Sequence, residues 1–200
     1  YHAEQGIVRH LDRLINFPRP AAPEEQISLM IQTVEKNRRI TFNDHQKAAI
    51  HLSFKKGVMV LTGGPGTGKT TCVQGVIDLF KQIGSRVILT APTGRAAKRL
   101  SEVTGSEAKT MHRLLEFNPR TRNFNKGWEN QLDADVVILD EVSMVDTIMM
   151  NALLRAIPDT ARFIMVGDAD QLPSVGAGNV LRDIISSHVV PPVHLTEIFR

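Results

Sequence analysis

The 200-residue sequence predicts an α/β domain on a doubly wound parallel sheet, preceded by a small helical module. Two observations predict it. From about residue 41, short β-branched apolar runs alternate with helical stretches, and each run ends in Gly, Asp or a Thr-Ala-Pro turn, as strands buried on both faces do. The first forty residues instead repeat their apolar positions at helical spacing. With 42% hydrophobic residues the chain can bury a real core, which excludes disorder as a whole-chain description.

Taken in order, Ile7, Val8, Leu11, Leu14 and Ile15 form the stripe of one amphipathic helix. The run Pro18-Arg19-Pro20-Ala21-Ala22-Pro23 stops it, and Pro23, Glu24 and Glu25 suit the first turn of a second helix whose apolar face is Ile27, Met30, Ile31 and Val34. Strands are expected at 58–61, 87–89, 136–139 and 163–166, with a weaker one at 193–195. Helices are expected at 70–82, 94–103, 143–156 and 178–186. This divides the chain into a helical segment, 1–40, and an α/β domain, 41–200. Ligands of such a sheet bind at the carboxyl ends of its strands.

Composition bounds the function only loosely. Lys and Arg number 24 against 21 Asp and Glu, a net charge of +3. Between Arg95 and Lys126, however, eight Lys or Arg face three Glu, so the positive charge is concentrated in that stretch. It reads either as a solvated face or as a polyanion contact. The single cysteine, Cys72, excludes a disulfide framework and suggests a packing residue in a reducing compartment. No apolar run reaches the roughly 18 to 20 residues that span a bilayer, and no signal-peptide core is present, so a cytoplasmic protein without membrane partners is expected. Because it opens on Tyr1 and stops on Arg200 without a tail, we read it as a piece of a longer protein.

The strongest chemical signal is Gly63-Gly64-Pro65-Gly66-Thr67-Gly68-Lys69-Thr70-Thr71, a G-x-x-x-x-G-K-[ST] phosphate loop between a strand and a helix. Its glycines let successive N–H groups point at phosphate oxygens, and the helix terminus adds partial positive charge. Lys69 is placed for the β- and γ-phosphates of ATP and Thr70 for Mg²⁺. Asp140 and Glu141 close a strand run, where one carboxylate can hold the Mg²⁺ shell and the next can polarise the attacking water. The run Gly167-Asp168-Ala169-Asp170-Gln171-Leu172-Pro173-Ser174-Val175 closes another; it is either a polar turn or, through Gln171, a sensor of the γ-phosphate.

These segments, with Leu195-Thr196-Glu197-Ile198-Phe199-Arg200, resemble motifs I to IV of superfamily 1 DNA helicases, most closely the RecD-like branch that includes the exodeoxyribonuclease V alpha chain. The likeness covers about residues 41 to 200, the first of two RecA-like, P-loop NTPase motor domains. It implies ATP- and Mg²⁺-dependent translocation on single-stranded DNA, 5′ to 3′, in recombination and repair. It also implies a second RecA-like domain, and leaves open RecB-like and RecC-like subunits as partners. Gln46 matches the family's adenine-reading glutamine, although Asn43 and Gln46 are equally spaced for a capping box. Arg200 matches a γ-phosphate contact. Pro92, Thr93 and Arg95 fall in a motif Ia-like run, and Thr110, His112 and Arg113 in a motif Ib-like one, both implying DNA-backbone contacts. Residues 114–130, with Phe117, Phe124 and Trp128, occupy the place of a strand-separating pin or form an ordinary hairpin. Asn125-Lys126-Gly127 lacks the Asp of a guanine-reading motif. An AAA+ type ATPase and an ATP-gated DNA-binding module without unwinding are the rival readings.

Overall fold

The computed structural model describes residues 2–171 and 178–198. Helices α1 (His2–Asn16), α2 (Glu24–Arg38) and α3 (Asp44–Lys55) lead into β1 (Val58–Gly63), α4 (Lys69–Gln82), β2 (Val87–Ala91), α5 (Gly94–Thr104), β3 (Ala108–Thr110) and the short α6 (Met111–Leu114). A hairpin, β4 (Phe117–Asn118) and β5 (Asn123–Phe124), precedes β6 (Val136–Leu139), α7 (Thr147–Ala156), β7 (Arg162–Gly167), α8 (Val180–Ser186) and β8 (Pro192–Leu195). Among the described residues, six strands form one parallel sheet in the order β3-β2-β6-β7-β1-β8. The expected doubly wound α/β class is therefore the observed one.

Strand alternation explains why the central runs are apolar throughout. Val58, Val60, Val137, Leu139, Phe163 and Met165 enter one core layer with α1, α7 and α8. Met59, Leu61, Val136, Ile138, Ile164 and Val166 enter the other, with α2, α3 and α4. At roughly 1.5–3 kcal/mol for each large apolar side chain buried, this two-sided burial dominates the fold's stability. Cys72 is wholly buried, and that burial pushes its thiol up to about 12, so it is an inert packing residue.

The two leading helices separate onto the two layers. Arg13 of α1 holds the end of α7, its guanidinium donating to Leu154 O (2.5 Å), Ile157 O (2.8 Å) and Asp159 Oδ1 (2.5 Å). The Leu154 carbonyl also accepts from Ile157 N (3.3 Å), so Arg13 adds a second donor at the helix end. Helix α2 packs instead with α3 and α4.

Two elements depart from expectation. The helix expected at 143–156 is divided: Val142–Met144 makes a separate 3₁₀ turn, and α7 starts at Thr147. The Asp146 side chain accepts from Met149 N (2.8 Å) and begins a new helix there, whereas apolar spacing runs through both pieces and hides the break. Strand β3 was not foreseen. It is a three-residue, half-buried edge strand around Lys109, with no apolar run to announce it.

Candidate nucleotide site

The phosphate loop leaves β1 at Gly63 and enters α4 at Lys69. Gly68 caps α4 with φ 80° and Gly66 has φ 74°, left-handed conformations that a side chain would resist. A Cβ on Gly63 would lie 2.6 Å from Thr67 Oγ1 and 2.7 Å from the Leu195 carbonyl oxygen, so that position must also be bare. The Thr67 hydroxyl donates to Gly64 O at 2.7 Å and draws the loop into a ring. The Lys69 ammonium donates to Gly63 O and to Gly64 O (3.0 Å), holding its charge over the loop.

Asp140 and Glu141 face this loop from the end of β6. They line one cleft of about 510 Å³ together with Gly64, Pro65, Gly66, Thr67, Gly68, Lys69, Thr70, Thr71 and Gln171. Burial pushes the Asp140 carboxyl above its usual range and the Glu141 charge adds to this, while a bond from Glu141 N (2.8 Å), Lys69 and Arg99 pull it back. Glu141 sits at φ 56°, ψ 42°, a left-handed conformation uncommon for a residue with a side chain and typical of constrained sites. From β7, Asp168 is buried, and Gln171 Oε1 accepts from Ser143 Oγ at 3.1 Å. That bond joins the turn after β7 to the turn after β6.

The donor set fits a magnesium nucleotide. A lysine and free first-turn N–H groups of α4 stand on one wall and two carboxylates on the other. Among the described residues there is no cluster of three His, Cys, Asp or Glu side chains for a metal. A divalent ion here would draw on Thr70, Asp140 and the phosphates themselves, the sparse ligation usual for Mg²⁺.

Gln46 lies behind the loop, 1% exposed. Its Oε1 accepts from Asn43 N (3.0 Å) while Asn43 Oδ1 accepts from Gln46 N (2.8 Å), a complete capping box. Its Nε2 donates to Gly68 O at 3.2 Å, tying the start of α3 to the phosphate loop. One amide hydrogen and one lone pair remain for a base edge. Arg99, the last residue of the motif Ia-like run 90–99 that implies DNA contact, is a cleft residue that sequence reading did not single out; the seating of α5 beside the loop brings its charge near Asp140.

The residues expected to touch DNA gather at the carboxyl ends of β2 and β3, which pair Ala91 with Thr110. Thr93 caps α5, accepting from Ala96 N (3.2 Å), and Thr110 caps α6, accepting from Arg113 N (3.2 Å). Pro92 is half-buried, whereas Arg95, His112 and Arg113 are exposed. The His112 ring packs against Phe117 (centroids 5.4 Å) and Phe124 (5.8 Å), joining this strip to the hairpin. In the last motif Glu197 accepts from Asn43 Nδ2 (3.1 Å), while Arg200, like Leu172 to Val175 of the preceding one, lies outside the described residues.

With this geometry established, comparison with known proteins is specific. The family described as an AAA domain matches residues 46–177. The ATP-dependent RecD2 DNA helicase of Deinococcus radiodurans is 42% identical over 167 residues, which cover 84% of this chain and 23% of that protein. The RecBCD enzyme subunit RecD of Mycobacterium tuberculosis is 37% identical, covering 92% of this chain and 38% of the relative. The chain thus spans well under half the length of these relatives. A solved structure of two coordinating Pif1 helicases unwinding forked double-stranded DNA superposes with a TM-score of 0.57 at 26% identity, over 80% of this chain and 45% of that one. Bacteroides Pif1 with ADP-AlF3 and single-stranded DNA gives 0.55 at 25%, over 80% and 43%. The AAA+ rival is not favoured, because the phosphate loop is common to both classes while these relatives are helicases and RecD subunits.

Proposed function

Because the chain belongs to the AAA-domain family and is a RecD-like helicase motor domain, we propose that it forms one wall of an ATP-hydrolysing site that drives 5′ to 3′ movement along single-stranded DNA and duplex unwinding. The observation that carries this reading is the meeting of Lys69, Asp140, Glu141 and Gln171 in one cleft at the carboxyl edge of the sheet.

Bound MgATP would supply the transferable phosphoryl group and a cation to neutralise its oxygens. Lys69 and the loop N–H groups hold the phosphates, Thr70 and Asp140 hold the cation shell, and Gln46 meets the adenine edge. Glu141 accepts the proton of the attacking water; its fixed backbone aims the carboxylate across the cleft. Gln171, bonded to Ser143, links the presence of the γ-phosphate to the turn after β6. Pro92, Thr93, Arg95, Thr110, His112 and Arg113 grip the DNA backbone. The other wall is a second RecA-like domain of the same polypeptide, with Arg200 at the junction, and RecB-like and RecC-like subunits are candidate partners. Residues 1–40 form a helical module docked on the motor, and the hairpin within 114–130 acts as a pin. The site of action is the cytoplasm, in recombination and repair.

Steady-state ATPase and strand-displacement assays on the full-length protein test this. Lys69→Ala should abolish turnover with the fold intact, since it removes charge and no core packing, and Glu141→Gln should bind MgATP without hydrolysing it. Residues 1–200 alone should hydrolyse ATP negligibly, because an absent arginine finger typically costs roughly 10³ to 10⁵ in rate. Near-normal turnover by Lys69→Ala would overturn the assignment. DNA-stimulated ATPase without strand displacement would replace the helicase by an ATP-gated module.

A further inference from the structure

A second cavity, about 920 Å³ and larger than the nucleotide cleft, opens between α1, α7 and the base of the hairpin. Its chemistry is that of a site for anions carrying an aromatic group. Arg9 and Arg155 stand exposed in its wall and, among the described residues, neither has a carboxylate partner. Glu129 is the one acid in the lining. Trp128 is 53% exposed there, with the Arg13 guanidinium 5.1 Å from its ring centre and His10 6.0 Å away. Arg13 itself is committed to the end of α7, so the free charge belongs to Arg9 and Arg155.

Behind the wall lie two buried polar atoms without partners. His10 is 4% exposed, and its Nδ1 accepts from Arg13 Nε at 3.1 Å, which puts the ring proton of the neutral form on Nε2. That Nε2 has no acceptor, and Asn151 Oδ1 has no donor. Burial, reinforced by Arg13, Arg9 and Arg155, holds the His10 ring down to about 4, so at neutral pH it adds no charge to the wall. Both atoms are sealed beneath the cavity surface, so recognition falls to the exposed Arg9, Arg155 and Trp128. Guanidinium groups bind phosphate with charge-assisted hydrogen bonds, and an exposed indole stacks any base.

We propose that this cavity binds a nucleotide unit of single-stranded DNA, its phosphate against Arg9 and Arg155 and its base on Trp128, as a strand site separate from the strip at Thr93 and Thr110. Continuity favours DNA as the source of that unit. Phe124, which touches His112 of the strip on one side, lines the cavity on the other, so a strand leaving the strip reaches it across one side chain. The inference rests on the DNA-binding reading above.

The test uses the longest polypeptide carrying these residues and an oligodeoxythymidylate of about eight nucleotides, within the usual single-strand site size. Overall binding is read from the anisotropy of labelled oligonucleotide, and the cavity from the tryptophan emission that Trp128→Phe removes. The oligonucleotide should quench that emission, and Arg9→Ala with Arg155→Ala should weaken the quenching at least tenfold at low salt. Arg95→Ala with Arg113→Ala should reduce the anisotropy signal while leaving quenching at saturation intact. Binding by anisotropy with a silent Trp128, or quenching indifferent to Arg9 and Arg155, would overturn the cavity site and spare the helicase reading. Absence of both signals would sink the two together. Equal quenching by thymidine monophosphate or inorganic phosphate at the same concentration would make this a small-anion site and refute the DNA assignment.

Discussion

Replacing Glu141 by glycine should make the protein more stable and catalytically dead. The residue sits at φ 56°, ψ 42°, where an L side chain costs about 1–2 kcal/mol relative to right-handed backbone. Glycine relieves that cost but loses more chain entropy on folding, about 0.5–1 kcal/mol, which leaves a net gain of roughly 0.5–1 kcal/mol. The substitution also removes a like charge that raises the Asp140 carboxyl, and the bond from residue 141 N to Asp140 Oδ1 is retained because it uses the backbone. For a chain of this size the gain corresponds to a rise in Tm of about 1–4 °C. Loss of the general base should cost on the order of 10²–10⁴ in turnover. Thermal unfolding followed by circular dichroism, beside the ATPase assay, measures both. Glu141→Gln is the control: it removes the same charge but keeps the backbone cost, so it should melt below the glycine variant while hydrolysis is lost in both. A glycine variant that melts below the parent would refute the idea that stability is given up here to aim a carboxylate.

Gln46→Ala should lower stability by about 1–2 kcal/mol, since it breaks the capping box and the bond to Gly68 O, and should relax discrimination against GTP; unchanged base preference in competition assays would leave Gln46 a cap alone. Neutralising Arg95, Lys98 and Arg113 together should flatten the salt dependence of single-stranded DNA binding by roughly 0.7 per lost phosphate contact, and an unchanged slope would return them to a solvated face. His10 is held to about 4 in the fold against 6.5 in the open chain, so the unfolded state takes up its proton first as pH falls. Its contribution is constant above about pH 6.5 and is lost progressively toward pH 4, by about 1–2 kcal/mol after allowance for solvent screening. Urea melts at pH 7 and 4.5 should show that loss in the parent and not in His10→Gln.

The phosphate-loop segment was legible in the sequence because a strand, a glycine turn and a helix terminus form contiguous backbone and need no distant partner to be recognised; the Asp140-Glu141 pair stood out only when read together with that loop. The buried strands were legible for a related reason, since two-sided burial removes polar alternation and leaves apolar runs such as Val136 to Leu139. Everything that depends on which elements meet was decided by tertiary structure. Edge strand β3 exists only because β2 offers it hydrogen bonds; its own residues carry no strand signal. Arg99 belongs to a motif that pointed to DNA, yet the packing of α5 beside the loop sets it in the nucleotide cleft. Glu141 reads locally as the end of a strand run, whereas in the fold it caps the 3₁₀ turn Val142–Met144 in left-handed backbone, which no local pattern announces. Arg9 and Trp128 are far apart in the chain and become neighbours only when α1 docks on α7. Local pattern reports what a residue can do with its own backbone, but facing and juxtaposition follow from how two core layers close over one sheet, which no window of sequence contains.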